Sequence, residues 1–210
     1  MTIYPIVEGH GEVVAAPVLL RRLLAEANCQ HIQVGRPIRR TQSQFRGRET
    51  VQAAVRLAAL QPQCAAIVLL FDGEDDCPKE RAEQVREWAR ESADGMPCDV
   101  IVAYREYETW FVSALESLRG EFGISADAES PADPESRRDA KGWLEEFMPP
   151  ARAYSETGDQ PGMSQMFNMG LAHRRNRSFR KLVKVMGDLL TQLQLPIPEW
   201  PPVPWRPDQP

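Results

Sequence analysis

Ile6-Val7-Glu8-Gly9-His10-Gly11-Glu12 and Phe71-Asp72-Gly73-Glu74-Asp75-Asp76 are the two stretches on which the reading of this chain turns. The first closes an apolar start over residues 2–7, and the second closes the uninterrupted apolar run 65–70. A continuous apolar run of that length marks a strand buried on both faces. Open α/β sheets collect their ligands outside the C-terminal ends of such strands. Carboxylates gathered there repel and raise one another's pKa unless a cation lies between them. Oxygen donors of this kind suit Mg²⁺ or Mn²⁺ better than zinc. The two segments therefore predict a divalent-metal site on a parallel sheet.

Outward from these segments, strand and helix patterns alternate. Residues 12–27, 49–60, 78–92 and 106–118 carry helical periodicity, and 31–34 and 99–104 read as further short strands. That alternation predicts an α/β fold with a doubly wound, mostly parallel sheet over residues 1–118. Pro5 removes a ladder donor and points to an edge or irregular position for the first strand. The Arg-rich residues 35–47 read as a loop. A mainly helical extension continues the chain over 119–195, with helices expected at 137–147, 164–172 and 178–193. Residues 196–210, rich in proline and holding Trp200 and Trp205, are expected to run extended.

The chain has 210 residues, 42% of them hydrophobic, enough for a sizeable core. No apolar run approaches the roughly 20 residues that span a bilayer. The N-terminus lacks the basic segment of a signal peptide. Cys29, Cys64, Cys77 and Cys98 are scattered without a C-x-x-C pair, which argues against structural zinc and for reduced thiols. A cytoplasmic protein with no membrane partner is expected. The formal net charge of -5 opposes indiscriminate nucleic-acid binding, yet the cations are concentrated. Arg36, Arg39, Arg40, Arg46 and Arg48 crowd one loop. Arg174, Arg175, Arg177, Arg180, Lys181 and Lys184 succeed one another with no acid between them. An acidic centre with basic flanks predicts a metal site that receives a polyanion.

Each acid has a plainer reading beside the functional one. Glu12 falls in a helix's first turn, where it complements the dipole. Asp76 is placed to cap the helix that starts at Pro78. Glu106 and Glu108 also precede a helix, and Trp110 and Phe111 behind them read as core. Glu8 has no such explanation; its flanking glycines permit a tight turn and leave the space above it open. His10 between glycines is an accessory candidate only. No G-x-x-x-x-G-K-[ST] accompanies Asp72, which argues against a P-loop NTPase.

Val7-Glu8-Gly9-His10-Gly11-Glu12 resembles the V-E-G-x-x-E opening of Toprim domains, found in topoisomerases, bacterial primases and overcoming-lysogenization-defect nucleases. Those domains pair the glutamate with a later D-x-D, which Asp72 and Glu74 match except that Glu74 stands where Asp is usual. The whole chain is more similar still to a bacterial Toprim-like family, domain of unknown function 4276. That similarity rests on Asp72 to Pro78, Glu106-Tyr107-Glu108-Thr109-Trp110-Phe111, Tyr154-Ser155-Glu156-Thr157 with Asp159-Gln160, and Arg177-Ser178-Phe179-Arg180-Lys181-Leu182.

The resemblance implies a Toprim core, Mg²⁺ or Mn²⁺ as cofactor and phosphodiester cleavage on nucleic acid, DNA ahead of RNA. Glu8, Asp72 and Glu74 are the expected catalytic and metal-binding residues, with Glu12 and Asp76 as ligands to a second ion and Glu106 and Glu108 accessory. Arg39 and Arg40 are expected to hold substrate phosphates, and Arg174, Arg175, Arg177, Arg180 and Lys181 either do the same or pair with Glu106, Glu108 or Glu156 and fasten the C-terminal helices to the core. Overcoming-lysogenization-defect relatives join Toprim to an ATPase, so a separately encoded ATPase partner in an antiphage system is expected. The rival readings are a non-catalytic regulatory partner of an ATPase and a small phosphatase or nucleotide hydrolase.

Overall fold

The computed structural model describes residues 1–206. Strands β1 (Thr2–Val7), β2 (Gln33–Val34), β3 (Ile38–Arg39), β4 (Cys64–Asp72) and β5 (Cys98–Ala103) form one sheet in the order β2-β1-β4-β5, with β3 also on β1. Every pairing is parallel. The α/β class and its flanking helices are as the alternation predicts. Side chains divide with a period of two. Ile3, Val7, Val68, Leu70, Ile101 and Ala103 face α1 (Glu12–Glu26) and the C-terminal helices. Tyr4, Ile6, Ile67, Leu69, Phe71, Val100 and Val102 face α3 (Arg48–Ala59) and α4 (Pro78–Ser92).

The first strand is internal, not an edge. The carbonyls of Met1, Ile3 and Val7 accept from Gln33, Gly35 and Arg40 at 3.1, 2.9 and 2.8 Å. By the alternation along a strand, Pro5 faces that same side. There β2 has ended at Val34 and β3 begins only at Ile38. The donor that proline lacks falls in the gap between two partners, so a central position costs no ladder bond. The Arg-rich stretch, expected as loop, contains β3 and the one-turn α2 (Gln42–Phe45), whose Phe45 stacks on Phe71 at 4.4 Å.

The C-terminal half is more broken than its periodicity predicts. The helix expected over 106–118 is α5 (Thr109–Val112) and then a 3-10 turn at Leu115–Leu118. Ahead of α5 the Tyr107 N–H, which a helix starting there would leave unpaired, donates to Asp72 Oδ1 at 2.9 Å. The next helix shortens to α6 (Ala140–Glu145), started by Asp139 in the left-handed region (φ 60°) with its carboxylate accepting from Gly142. The helix expected at 164–172 is two, α7 (Asp159–Met166) and α8 (Met169–Arg175), divided where Asn168 caps the second. The last, α9 (Arg177–Gln192), matches its expected span and is capped by Asn176. The proline-rich segment is not simply extended. Val203–Trp205 make a 3-10 turn, Trp205 is buried, and Trp200 covers α9 at Gly187, where a Cβ would overlap the indole. The final residues of that segment, 207–210, lie outside the described residues. No helix among the described residues is long and apolar enough to cross a membrane.

An edge-on aromatic chain ties α7 and α9 to α5, the short helix that follows β5. Trp110 meets Phe179 at 5.5 Å, Phe179 meets Phe167 at 5.6 Å, and Phe167 meets Phe111 at 5.4 Å. All four rings are fully buried. Phe179→Ala is expected to lower the free energy of unfolding by about 3–5 kcal/mol. Urea denaturation reads this directly, and near-native stability would show that the helices do not depend on this chain of rings.

Candidate functional site

The strand ends bring the predicted acids to one place. Glu8 leaves β1 and Asp72 ends β4, and the Asp72 N–H donates to Glu8 Oε2 at 3.3 Å. Around them Glu12, Glu74, Glu108, Lys141, Glu156 and Gln160 line a cavity of about 170 Å³. Six carboxyl groups thus surround a single ammonium. Glu74, just past β4, sits in the left-handed region (φ 50°) with its N–H donating to Arg105 O at 3.0 Å. A non-glycine residue held there carries backbone strain of about 1–2 kcal/mol, the kind retained at working sites.

The glycines of the first segment serve space rather than turn conformation. Gly11 has ordinary helical angles (φ -64°, ψ -45°). A Cβ on Gly9 would overlap the Glu12 carboxylate, and one on Gly11 would overlap Gln160 and press the Glu156 carbonyl oxygen at 2.7 Å. The two glycines let α7 and the acids close over the strand ends.

Burial and mutual repulsion set the charge state. Burial raises Glu8 from 4.5 to about 7, with Glu12 and Glu74 adding to the rise. Glu108, 1% exposed, is likewise raised to about 7, first by burial. Glu12 is raised by burial and Glu156, and Asp72 by burial, Glu12, Glu108 and Glu8. Burial works against the charge on Lys141, but Glu108, Glu156 and Asp72 outweigh it and hold the ammonium above its ordinary range. Its Nζ donates to Glu156 Oε1 at 2.6 Å.

Several of these groups were not legible as site residues. Lys141 and Gln160 lie in first turns of helices and Tyr154 in a loop, with no strand-end signal to mark them. Tyr154 donates to Glu108 Oε1 at 2.8 Å and Gln160 Nε2 to the same oxygen at 3.1 Å. Tyr154, Glu156 and Gln160 belonged to a motif of the resemblance, which was the one signal that could have found them.

Other predicted residues stand elsewhere. Asp76 caps no helix and does not line the cavity; its carboxylate meets Arg46 at 2.9 Å and Arg81 at 3.8 Å. His10 is exposed and outside the lining. Glu106 accepts the Lys141 N–H at 3.3 Å and so steadies the start of α6. Arg39 and Arg40 continue along the same sheet edge, since the Arg40 N–H bonds Val7 O at 2.8 Å. The C-terminal cations are mostly engaged within the chain. Arg175 pairs with Glu116 at 2.9 Å, Arg174 donates to Pro204 O, and Arg180 donates to the carbonyls of His173 and Arg174. The α9 N-terminus already holds an anion, the buried Glu135 carboxylate, which accepts from the Arg177 N–H at 2.9 Å and Arg177 Nε at 2.7 Å. Their partners are Glu116 and Glu135, not the acids Glu106, Glu108 or Glu156.

The donor set is all oxygen and fits a hard cation. Two buried oxygens, Glu108 Oε2 and Gln160 Oε1, have no hydrogen-bond partner, and an acceptor so left is costly unless a cation or proton meets it. Among the described residues, however, no three Asp, Glu, His or Cys side chains already converge closely enough to grip an ion. Cation binding therefore calls for the acids to rearrange around Lys141.

Fold and site together define a parallel α/β protein with a carboxylate pocket at the C-terminal strand edge. The chain belongs to the family described as Domain of unknown function (DUF4276), which matches residues 7–187. No curated protein and no solved structure matches it.

A pH dependence arises from Glu8 and Glu108. Each binds its proton more tightly folded than unfolded, so between pH 4.5 and about 7 the folded state holds more protons. Stability then falls as pH rises through that window. Glu8→Gln and Glu108→Gln should each flatten the fall in a urea denaturation series. An unchanged slope in both variants would mean these carboxyls titrate as if exposed.

Proposed function

We propose that the pocket binds Mg²⁺ or Mn²⁺ and that the protein cleaves phosphodiesters of nucleic acid, DNA ahead of RNA, as a Toprim-type nuclease. The observation that carries this reading is the meeting of Glu8 and Asp72, from two different strand ends, inside a pocket with four further carboxyls. A cation bound there would neutralise charge on the phosphate and lower the pKa of an attacking water. Glu8, Asp72 and Glu74 would hold it, with Glu12 and Glu108 able to turn toward a second position. Asp76, committed to Arg46, is not among these ligands. Lys141 presents a fixed ammonium to a phosphate oxygen. Glu108, pushed up by burial to about 7, can yield a proton when a cation arrives. Arg39 and Arg40, beside the end of β1, are the predicted phosphate contacts on the same sheet edge. The resemblance to overcoming-lysogenization-defect nucleases supports a separately encoded ATPase partner in phage defence.

Lys141 also favours a second reading. Its ammonium already offsets part of the acidic charge, an arrangement suited to a regulatory partner of an ATPase that performs no cleavage. The two separate on one assay: cleavage of single- and double-stranded DNA and RNA with Mg²⁺ or Mn²⁺ added. Nuclease function predicts metal-dependent cleavage, lowered about a hundredfold or more in Asp72→Asn. Relief of repulsion should leave that variant folded and at least as stable. Wild-type protein that binds metal but cuts none of the four substrates would leave the regulatory reading.

Glu74→Asp tests the position that differs from the Toprim pattern. Aspartate shortens the arm without changing charge and tolerates left-handed backbone better. Activity should be kept or raised in the same assay. A severe loss would show that the longer arm is required.

A further inference from the structure

A second cavity is larger than the acid pocket. A cleft of about 440 Å³ opens where α4 and α9, from opposite faces of the sheet, meet beside the edge strand β5. Its volume falls in the range of small-molecule sites. Val102, Ala82, Pro78 and Tyr104 supply an apolar floor, and Lys79, Arg86, Arg177 and Lys181 stand around it. The acids among the lining are Glu83 and Glu135, and Glu135 is already bound to Arg177.

The cations differ in how they are engaged. Arg86 is bound to Asp99 at 2.6 Å. Lys79 and Lys181 have no ion-pair or side-chain hydrogen-bond partner among the described residues, although they stand on two different walls. Arg177 is oriented without being saturated. Its Nε is fixed by Glu135, its guanidinium lies 5.6 Å from the centroid of the Tyr104 ring, and its two terminal nitrogens bond nothing among the described residues. A guanidinium held by one edge, with the other edge open, is prepared for bidentate contact with phosphate. α4 begins at this cleft with Pro78 in its first turn and no side-chain cap on its N–H groups, though Glu80 in that turn already offsets part of the helix dipole.

The cleft adjoins the acid pocket. Glu74 lines one and Cys77 the other. Three residue steps reach at most about 11 Å, so the two sites lie within a few nucleotides of one strand.

We propose that this cleft receives a nucleotide of the substrate strand, next to the phosphodiester held in the acid pocket. Its base enters over Val102, Ala82 and Pro78, and its phosphate meets Arg177, Lys181 and Lys79. A base in a cleft cannot remain paired, so the site selects single-stranded nucleic acid or a frayed end. The inference rests on the phosphodiester reading of the acid pocket, but the cleft is tested apart from cleavage.

Cys77 is an exposed free thiol on the cleft wall, whereas Cys29 and Cys98 are buried. Its alkylation by iodoacetamide, read by site-resolved mass spectrometry in EDTA, reports occupancy without metal or catalysis. A single-stranded octanucleotide at about ten times its Kd should slow alkylation roughly tenfold, because only the unoccupied fraction reacts. 5′-dAMP should protect at higher concentration. Inorganic phosphate at equal concentration and the same sequence as a blunt duplex should protect far less. Lys79→Glu with Lys181→Glu, both exposed and unpaired, should fold normally and lose protection. Equal protection by phosphate or duplex would overturn the base-binding cleft, and so would the absence of protection by the octanucleotide. Protection in a protein that cuts nothing would keep the cleft and overturn the nuclease reading alone. Cleavage of single strands with Cys77 unprotected would do the reverse.

Discussion

Repulsion among carboxyl groups that the fold forces together is the constraint on which the rest of this structure depends. Glu8, Glu12, Asp72, Glu74, Glu108 and Glu156 share one small cavity with one ammonium. In a partly dehydrated space like charges cannot all persist, so protons or cations must enter. Burial raises Glu8 and Glu108 to about 7, which is the proton solution. Lys141 supplies part of the cation solution. A stable fold would have no reason to keep such a pocket for packing alone, since apolar side chains of similar size are no less stabilising. The strain at Glu74 and the unpartnered oxygens of Glu108 and Gln160 lie in the same place. A ligand there would relieve these local costs, although among the described residues seven other non-glycine residues also sit in the left-handed region and Arg39 Nε is a further buried unpartnered atom.

The scaffold around that cost is satisfied elsewhere. β1 and β4 run parallel side by side, so their C-terminal ends present Glu8 and Asp72 at one edge by register alone, with Val7 opposite Leu70. The helical region beyond residue 119 is part of the site rather than an appendage to it. α6, α7 and the segment between them bring Lys141, Glu156 and Gln160 over the strand ends, and the rings of Trp110, Phe111, Phe167 and Phe179 tie α7 and α9 to α5. The cations of the C-terminal stretch largely complete this attachment. Arg175, Arg177 and Arg180 bind acids or carbonyls of the chain, although Arg177 keeps a free edge toward the cleft.

The α/β class and the meeting of Glu8, Asp72, Glu74 and Glu108 were legible in the sequence because strand ends obey simple rules. A buried strand is a continuous apolar run, and the residues just past its C-terminal end lie at the ligand edge. Helix breaks in the C-terminal half were not legible from periodicity. Asp72 takes the Tyr107 N–H ahead of α5 through a tertiary contact. Asn168 divides α7 from α8 as a local N-cap on Leu171, a signal that apolar periodicity passes over. Pro5 misled in the other direction: a proline suits a central strand when its missing donor faces a gap between partners. Lys141 could not be read because one lysine in a helix's first turn is ordinarily a solvated charge. Asp76 was assigned by proximity in sequence to Glu74, yet the turn between them aims it at Arg46.

The most direct test of the central claim is calorimetric titration of the free protein with Mn²⁺ near neutral pH, in two buffers of different ionisation enthalpy. If Glu8 and Glu108 hold protons in the free pocket, a cation entering among these acids must expel them. Saturable binding should release about one proton or more per protein, and Asp72→Asn should lose both binding and release. No saturable uptake of Mn²⁺, or uptake that releases no proton and survives in Asp72→Asn, would contradict it.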